Sequence, residues 1–238
     1  NRCGVVWMLA TVNPTQAFKC GFDVADALTG PAIGRPKSAT YRTADVVGLD
    51  TMAHVIKTMA DTLPEDPWHA HFKAPKWLLA LIEKGALGQK TGAGIYTKRG
   101  KDILVLDLDA QDYRASAAEV DPGVAAILKE RDPAAKFAAL RASMHPQAQF
   151  LWAVFRDLFH YSAFHLKDIA ETARDVDRAI SWGYGWNLGP LQTCQAAGWK
   201  QLADWVAAAI VAAKAVGTGA LAAGVVGHPE PRTGRHGR

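Results

Sequence analysis

The sequence predicts a mainly all-α protein built from two similar helical units and one small β-hairpin. Three observations carry this. Apolar residues recur at spacings of three and four through most of the chain, which is the helical period. Only residues 95–108 combine a strand-like run with a glycine turn, at Arg99, Gly100 and Lys101. The two halves also repeat one order of signals. The first half has an Asp-rich helix start (Asp23, Asp26), Gly30, a Gly/Pro loop, a helix with Asp45, then Gly48. The second has Asp175 and Asp177, Gly183, a Gly/Pro loop ending at Gly189 and Pro190, a helix with Gln195, then Gly198.

The elements follow in order. Residues 1–30 read as helical with a break at Asn13 and Pro14, and Gly30 is a helix stop. Residues 31–42, with two prolines and a glycine, are a loop. Val46, Leu49, Ala53, Ile56, Ala60 and Leu63 form one apolar stripe, so a single amphipathic helix is expected there. Thr43 and Asp45 suit its first turn, where unpaired N–H groups want acceptors. Residues 64–75 are loop, and residues 76–84 a short helix closed by Gly85. Residues 124–142 are helical with a break at Pro133. The longest helix is expected over 148–172, with Phe150, Val154, Leu158, Tyr161, His165 and Ile169 on one face. A short helix spans 175–182, another runs from Gln192 to Ala197, and a last one starts near Lys200.

The chain has 238 residues, 49% hydrophobic and 21% charged, which is ordinary globular composition. Cys3, Cys20 and Cys194 are too few for a disulfide framework, contain no CxxC pair, and read as reduced thiols of a cytoplasmic protein. The net charge is +4, and half of it lies in the last twelve residues, where Arg232, Arg235 and Arg238 oppose Glu230. No basic stripe remains to meet nucleic acid. Residues 206–226 are nearly uncharged but are mostly Ala, Gly and Val, which favours a fraying helix over a membrane span. Residues after 226 lack apolar periodicity and are expected to be disordered. The chain opens at Asn1 in the middle of an apolar pattern, with no signal peptide, so its front is expected to be missing.

Self-contained chemistry is sparse. Gly92-Ala-Gly94 follows a helix, whereas a dinucleotide fingerprint follows a strand. Gly183, Gly185 and Gly189 are wrongly spaced for one, and Gly85 to Thr91 fails as a phosphate loop; tight turns account for all three. The histidines show no metal-ligand spacing, and residues 107–112 lack the glycine and glutamate of a calcium loop. Arg35, Lys37 and Ser38, with Arg42 nearby, are candidate ligands for an anion such as a phosphate; the competing reading is a solvated charged face. Trp182, Trp186, Trp199 and Trp205 read as a packing cluster or a contact with a partner domain.

Several stretches together resemble a known family. Leu28 to Gly30, Gly34 to Thr51 (GRPKSATYRTADVVGLDT) and Glu83 to Tyr96 (EKGALGQKTGAGIY) are similar to the C-terminal domain of 3-hydroxyacyl-CoA dehydrogenases. Asp175 to Gly198 resembles the second copy found in multifunctional fatty-acid β-oxidation proteins. The resemblance implies two tandem helical units of the 6-phosphogluconate-dehydrogenase C-terminal type. It divides the chain into a first unit at 1–100, a hairpin and helical linker at 101–145, a degenerate second copy at 146–205, and a helix end with a basic tail at 206–238. It implies a fragment of an NAD-dependent enzyme that oxidises L-3-hydroxyacyl-CoA to 3-oxoacyl-CoA. The fragment itself is expected to be inactive and to close over acyl-CoA, with Arg35, Lys37 and Ser38 on the substrate side. NAD and the catalytic His–Glu pair belong to a nucleotide-binding domain that is absent here, and an enoyl-CoA hydratase domain is an expected further partner. Asn1-Arg2 stands where the family has an Asn-Arg pair whose neutral amide orients the substrate without competing for a proton. Departures are Ala39-Thr40 in place of the family's Gly-Pro, Gln195 in place of an Asp, and a tail after Ala213 that suggests a truncated or frame-shifted gene. The alternative is a non-catalytic binding or oligomerisation module, or a degenerate remnant.

Overall fold

A computed structural model describes residues 2–216, with side chains to residue 212. Helix α1 (Arg2–Ala17) opens the first unit and is followed by α2 (Phe22–Thr29), α3 (Tyr41–Val47), α4 (Leu49–Thr62) and α5 (Lys76–Glu83). A sheet of β1 (Tyr96–Arg99), β2 (Asp102–Leu106) and β3 (Tyr113–Ala115) comes next. The linker holds α6 (Pro122–Leu128) and α7 (Pro133–Ala142). The second unit holds α8 (Pro146–Phe164), α9 (Leu166–Ile169), α10 (Ala173–Tyr184), α11 (Pro190–Ala196) and α12 (Trp199–Val216).

The two units meet along α1 and α8. Both helices are buried on most of their faces, and one continuous core runs from Val6 and Leu9 to Phe150, Val154 and Leu158. Burial of this extent explains why α1 continues through Pro14 instead of breaking there. The proline removes one backbone donor, but packing against α8 holds the axis, and Thr11 and Thr15 return their hydroxyls to the carbonyls of Trp7 and Thr11.

Other elements also differ from expectation. The single helix expected over 43–63 is two helices, because Gly48 adopts φ 102°, a backbone state that suits glycine. The break turns Val46 outward, 58% exposed, and the buried stripe of α4 is Leu49, Met52, Ile56 and Met59. The hairpin has a third antiparallel strand, in the order β1-β2-β3, with Tyr96 opposite Val105 and Leu104 opposite Ala115. The sheet therefore straddles residue 100. The acidic 107–112 run is the β2–β3 turn, closed by the Asp107 carboxylate accepting from the N–H groups of Asp109 and Ala110. The longest helix ends at Phe164, where His165 turns the chain into α9. The four tryptophans form no single core. Trp186 is buried and Trp205 packs edge-on to Trp152, but Trp182 and Trp199 are 79% and 64% exposed. Among the described residues no helix is long and apolar enough to cross a membrane. Asn1 and residues 217–238, including the tail expected to be disordered, lie outside the described residues.

Candidate functional site

The repeat seen in the sequence is built on two buried carboxylates. Asp26 on α2 accepts hydrogen bonds from the N–H groups of Thr40, Tyr41 and Arg42, at 3.0, 2.6 and 3.0 Å. It thereby satisfies the open N-terminus of α3. Asp177 on α10 does the same for α11, accepting from Leu191 and Gln192 at 2.8 and 3.0 Å. Thr43 and Thr193 each donate to a carbonyl four residues back, Ala39 and Gly189. Tyr41 thus corresponds to Leu191, and Asp45 to Gln195.

The first unit adds a second tier. Asp45 lies in the last turn of α3, not the first turn of a longer helix, and accepts from the N–H groups of Ile95 and Tyr96, both at 2.8 Å. Tyr96 donates its hydroxyl to Asp26 at 2.8 Å. A Cβ on Gly94 would sit 2.2 Å from Asp45 Oδ1, so the Gly92-Ala-Gly94 turn is occupied by Asp45 and offers no phosphate cradle. Burial pushes the Asp26 carboxyl up to about 7 against its hydrogen bonds, and that of Asp45 up to about 6. Asp23, beside Asp26 in sequence, ties the sheet to α2 through a two-pronged pair with Arg114 at 2.9 Å.

Arg35 and Lys37 point to different environments. Lys37 is exposed, and Ser38 is half-buried with its hydroxyl 2.9 Å from that of Thr43, to which it donates because the Thr43 proton is given to Ala39. Arg35 is 5% exposed. Its guanidinium lies 3.7 Å from the Trp186 ring centre, 5.3 Å from Trp7 and 5.7 Å from Phe155. Its Nη1 has no hydrogen-bond partner, and burial lowers its pKa to about 9. Arg35 therefore joins the units, since Trp7 is on α1 and Trp186 belongs to the second unit.

A polar cluster that no local pattern announces surrounds Arg2. Arg2 Nη2 lies 2.8 Å from Asp66 Oδ2 and 3.1 Å from His165 Nδ1, and Arg2 Nε donates to the Tyr161 hydroxyl at 3.1 Å. The Tyr161 hydroxyl donates in turn to Asp66 Oδ2 at 3.0 Å, and His165 Nε2 stands 3.2 Å from the same oxygen. The Asp66 side chain is 1% exposed. Burial alone would raise its pKa, but His165, the Trp68 N–H and Tyr161 outweigh it and hold it at about 2. Only spacing of at least 64 residues joins these partners, which is why no local motif showed them. Next to Arg2, between α1 and α9–α10, lies an open cleft of about 760 Å³ rimmed by Asp168, Glu171 and Asp175.

Among the described residues no group of three or more His, Cys, Asp or Glu is placed to hold a metal. The one sheet there is antiparallel and three-stranded, and its glycine turn is filled, so these residues do not fit NAD.

Residues 1–98 match the family model described as 3-hydroxyacyl-CoA dehydrogenase, C-terminal domain, and belong to that family. A Bacillus subtilis (strain 168) protein named "Probable 3-hydroxyacyl-CoA dehydrogenase" is 39% identical over 206 residues, covering 86% of this chain and 26% of that protein. A Deinococcus radiodurans protein of the same name is 36% identical over 98 residues, 41% of this chain and 28% of that protein. A Rickettsia prowazekii protein, whose name describes a fatty acid oxidation complex trifunctional enzyme, is 22% identical over 197 residues, 81% of this chain and 26% of that protein. The chain spans about a quarter of the length of these relatives. No solved structure matches it significantly.

Proposed function

We propose that this chain is the substrate-closing, helical part of an NAD-dependent 3-hydroxyacyl-CoA dehydrogenase of fatty-acid β-oxidation, converting L-3-hydroxyacyl-CoA to 3-oxoacyl-CoA. The observation that carries this is the 39% identity to the Bacillus subtilis protein, because it extends over both helical units. NAD belongs on a separate nucleotide-binding domain. Asn1, which lies outside the described residues, is the proposed substrate-orienting amide. A neutral amide donates and accepts hydrogen bonds without taking the proton that a base must remove. In the loop before α3, exposed Lys37 and half-buried Ser38 are the residues proposed to face the acyl-CoA, and Arg35 braces that loop from behind. An enoyl-CoA hydratase domain is the proposed further part of the polypeptide; the name of the Rickettsia prowazekii relative, which describes a trifunctional enzyme of a fatty acid oxidation complex, supports a multifunctional chain.

The test is direct. Residues 1–238 are purified and NADH formation from 3-hydroxybutyryl-CoA is followed, alone and fused to a nucleotide-binding domain of the family. Turnover is expected only in the fusion. Robust turnover by the isolated chain would overturn the assignment. Calorimetry with acetoacetyl-CoA gives the second readout; no binding and no complex with the added domain would point instead to a non-catalytic packing module.

A further inference from the structure

We propose that the second helical unit docks an amphipathic helix from outside this chain, in the groove beside α12 that corresponds to the seat of α5 in the first unit. There α5 lies against α4 and buries Trp77, Leu78 and Leu81. Trp77 packs edge-on to Phe22 of α2, with ring centres 4.9 Å apart, and stands 6.3 Å from Tyr41 of α3. The repeat that pairs Asp26 with Asp177 also pairs Phe22 with Ala173, Tyr41 with Leu191, and α4 with α12. Among the described residues no helix follows α12 to cover these positions. A groove of about 620 Å³ lies there, lined by Ala173, Leu191, Trp199, Leu202, Val206 and Ile210. Phe22 and Tyr41 are fully buried, whereas Ala173 is exposed, Leu191 is half-buried and the Trp199 ring is largely open to solvent.

The chemistry of the occupant follows from the walls and from the first unit. No Asp, Glu, Lys or Arg lines the groove. Burial lowers the pKa of His160 in its wall to about 4, so that ring is uncharged at neutral pH. An exposed apolar surface of this kind matches an apolar partner. The first unit supplies the partner's form, a helix whose anchors sit at positions i, i+1 and i+4, which is recognition of a helix in a groove. Ala173 and Leu191 are smaller than Phe22 and Tyr41, so this seat has room for an anchor at least as large as Trp77. Residues 217–238 supply no such set of anchors. They contain no Phe, Tyr or Trp and one leucine, and they carry Pro229 and Pro231 at the distance from α12 at which α5 follows α4. The occupant is therefore a helix of another polypeptide segment, presenting an aromatic side chain with leucines one and four positions on.

Cys194 lines the same groove and is half-buried, whereas Cys3 and Cys20 are buried, so its thiol reports occupancy. The probe is the α5 sequence itself, residues 75–86, with Leu79→Lys joined to Glu83 by an amide on the exposed face. The link holds the helix, since so short a peptide is not helical alone. Added to the 238-residue chain at about ten times its Kd, the probe is expected to slow N-ethylmaleimide labelling of Cys194 about 10-fold. A probe with Trp77→Ala and Leu81→Ala should give no protection. Ala203→Arg, in the exposed wall of the groove, should abolish protection with the melting temperature unchanged; Ala207→Arg gives the same readout should Ala203→Arg fold poorly. Equal labelling rates with the two probes would overturn the proposal. So would faster labelling after deletion of residues 217–238, which would make the tail the occupant. Labelling that slows with protein concentration would overturn it in favour of a second copy. Protection by decanoyl-CoA but not by the α5 probe would overturn it in favour of an acyl chain.

Discussion

Replacing Arg35 by methionine should stabilise the protein. The guanidinium is 5% exposed, faces three aromatic rings, and has no acidic partner among the described residues. Removing a charge from water without a counter-charge costs several kcal/mol. The fall of its pKa from 12.5 to about 9 corresponds to about 5 kcal/mol at about 1.4 kcal/mol per unit. Stacking on Trp186, with weaker contacts to Trp7 and Phe155, returns about 2–4 kcal/mol in total. Methionine has a similar reach and keeps contact with the same rings through its sulfur. The net expectation is a gain of about 1–3 kcal/mol, or a melting temperature higher by roughly 2–12 °C for a chain of this size. Arg35→Ala should instead lose about 2–4 kcal/mol, because it leaves a cavity where the stem and head were packed. Differential scanning calorimetry at neutral pH measures both. A methionine variant that melts lower than the parent would show that the ring contacts exceed the desolvation cost, and the reasoning would fail.

The two helix-capping carboxylates should differ in worth. Asp26→Asn places an amide nitrogen among four donors and should cost about 2–4 kcal/mol, whereas Asp177→Asn, with two donors, should cost about 1–2 kcal/mol; urea midpoints with unchanged slope decide, and equal losses would contradict the comparison. Acid should release the Arg2 cluster. The folded-state pKa of Asp66, about 2, lies below its unfolded value near 3.9, so its stabilisation is complete above about pH 4 and disappears as the pH falls towards 2. That amounts to about 2.5 kcal/mol, and Asp66→Asn should flatten the urea midpoint across this interval by that amount; an unaltered acid dependence would refute the assignment.

How much was legible depended on the range of the interaction involved. The helix at residues 76–84 rests on local periodicity and glycine placement, and the structure has it as Lys76–Glu83; the repeated signals around Asp26 and Asp177 coincide with two carboxylates that each cap a following helix. Gly48 is visible as a glycine but its positive φ is not, and so one amphipathic stripe in the sequence runs across two helices. Pro14 marked a break on local grounds, yet α8 supplies enough packing to carry the helix through it. β3 is three residues long, with its apolar signal confined to Tyr113, so periodicity had nothing to work on. Arg35 carried the charge of a solvated or anion-binding residue, and only the distant Trp186 turns it inward. The Arg2 cluster was invisible for the same reason, since Asp66, Tyr161 and His165 become its neighbours only when α1 lies against α8.

One substitution accounts for much of the asymmetry between the copies. Asp45 offers two oxygens to two successive N–H groups, and that requirement holds the glycine turn and β1 against α3. At the matching place Gln195 carries an amide, one of whose two polar atoms is a donor and cannot accept from a backbone N–H. The second unit accordingly has no such turn among the described residues. In the first unit α5 also seats Trp77 on Phe22 and Tyr41, with ring centres 4.9 and 6.3 Å apart. The matching Ala173 and Leu191 line an open apolar groove of about 620 Å³ beside α12. The second unit therefore has the Asp177 cap, which orders its helices, without a counterpart of the tier that Asp45 organises. What remains well packed in it is α8, and α8 supplies both Phe155 against Arg35 and the Tyr161–His165 end against Arg2. A well-packed α8 beside an open groove is what a support for the first copy requires.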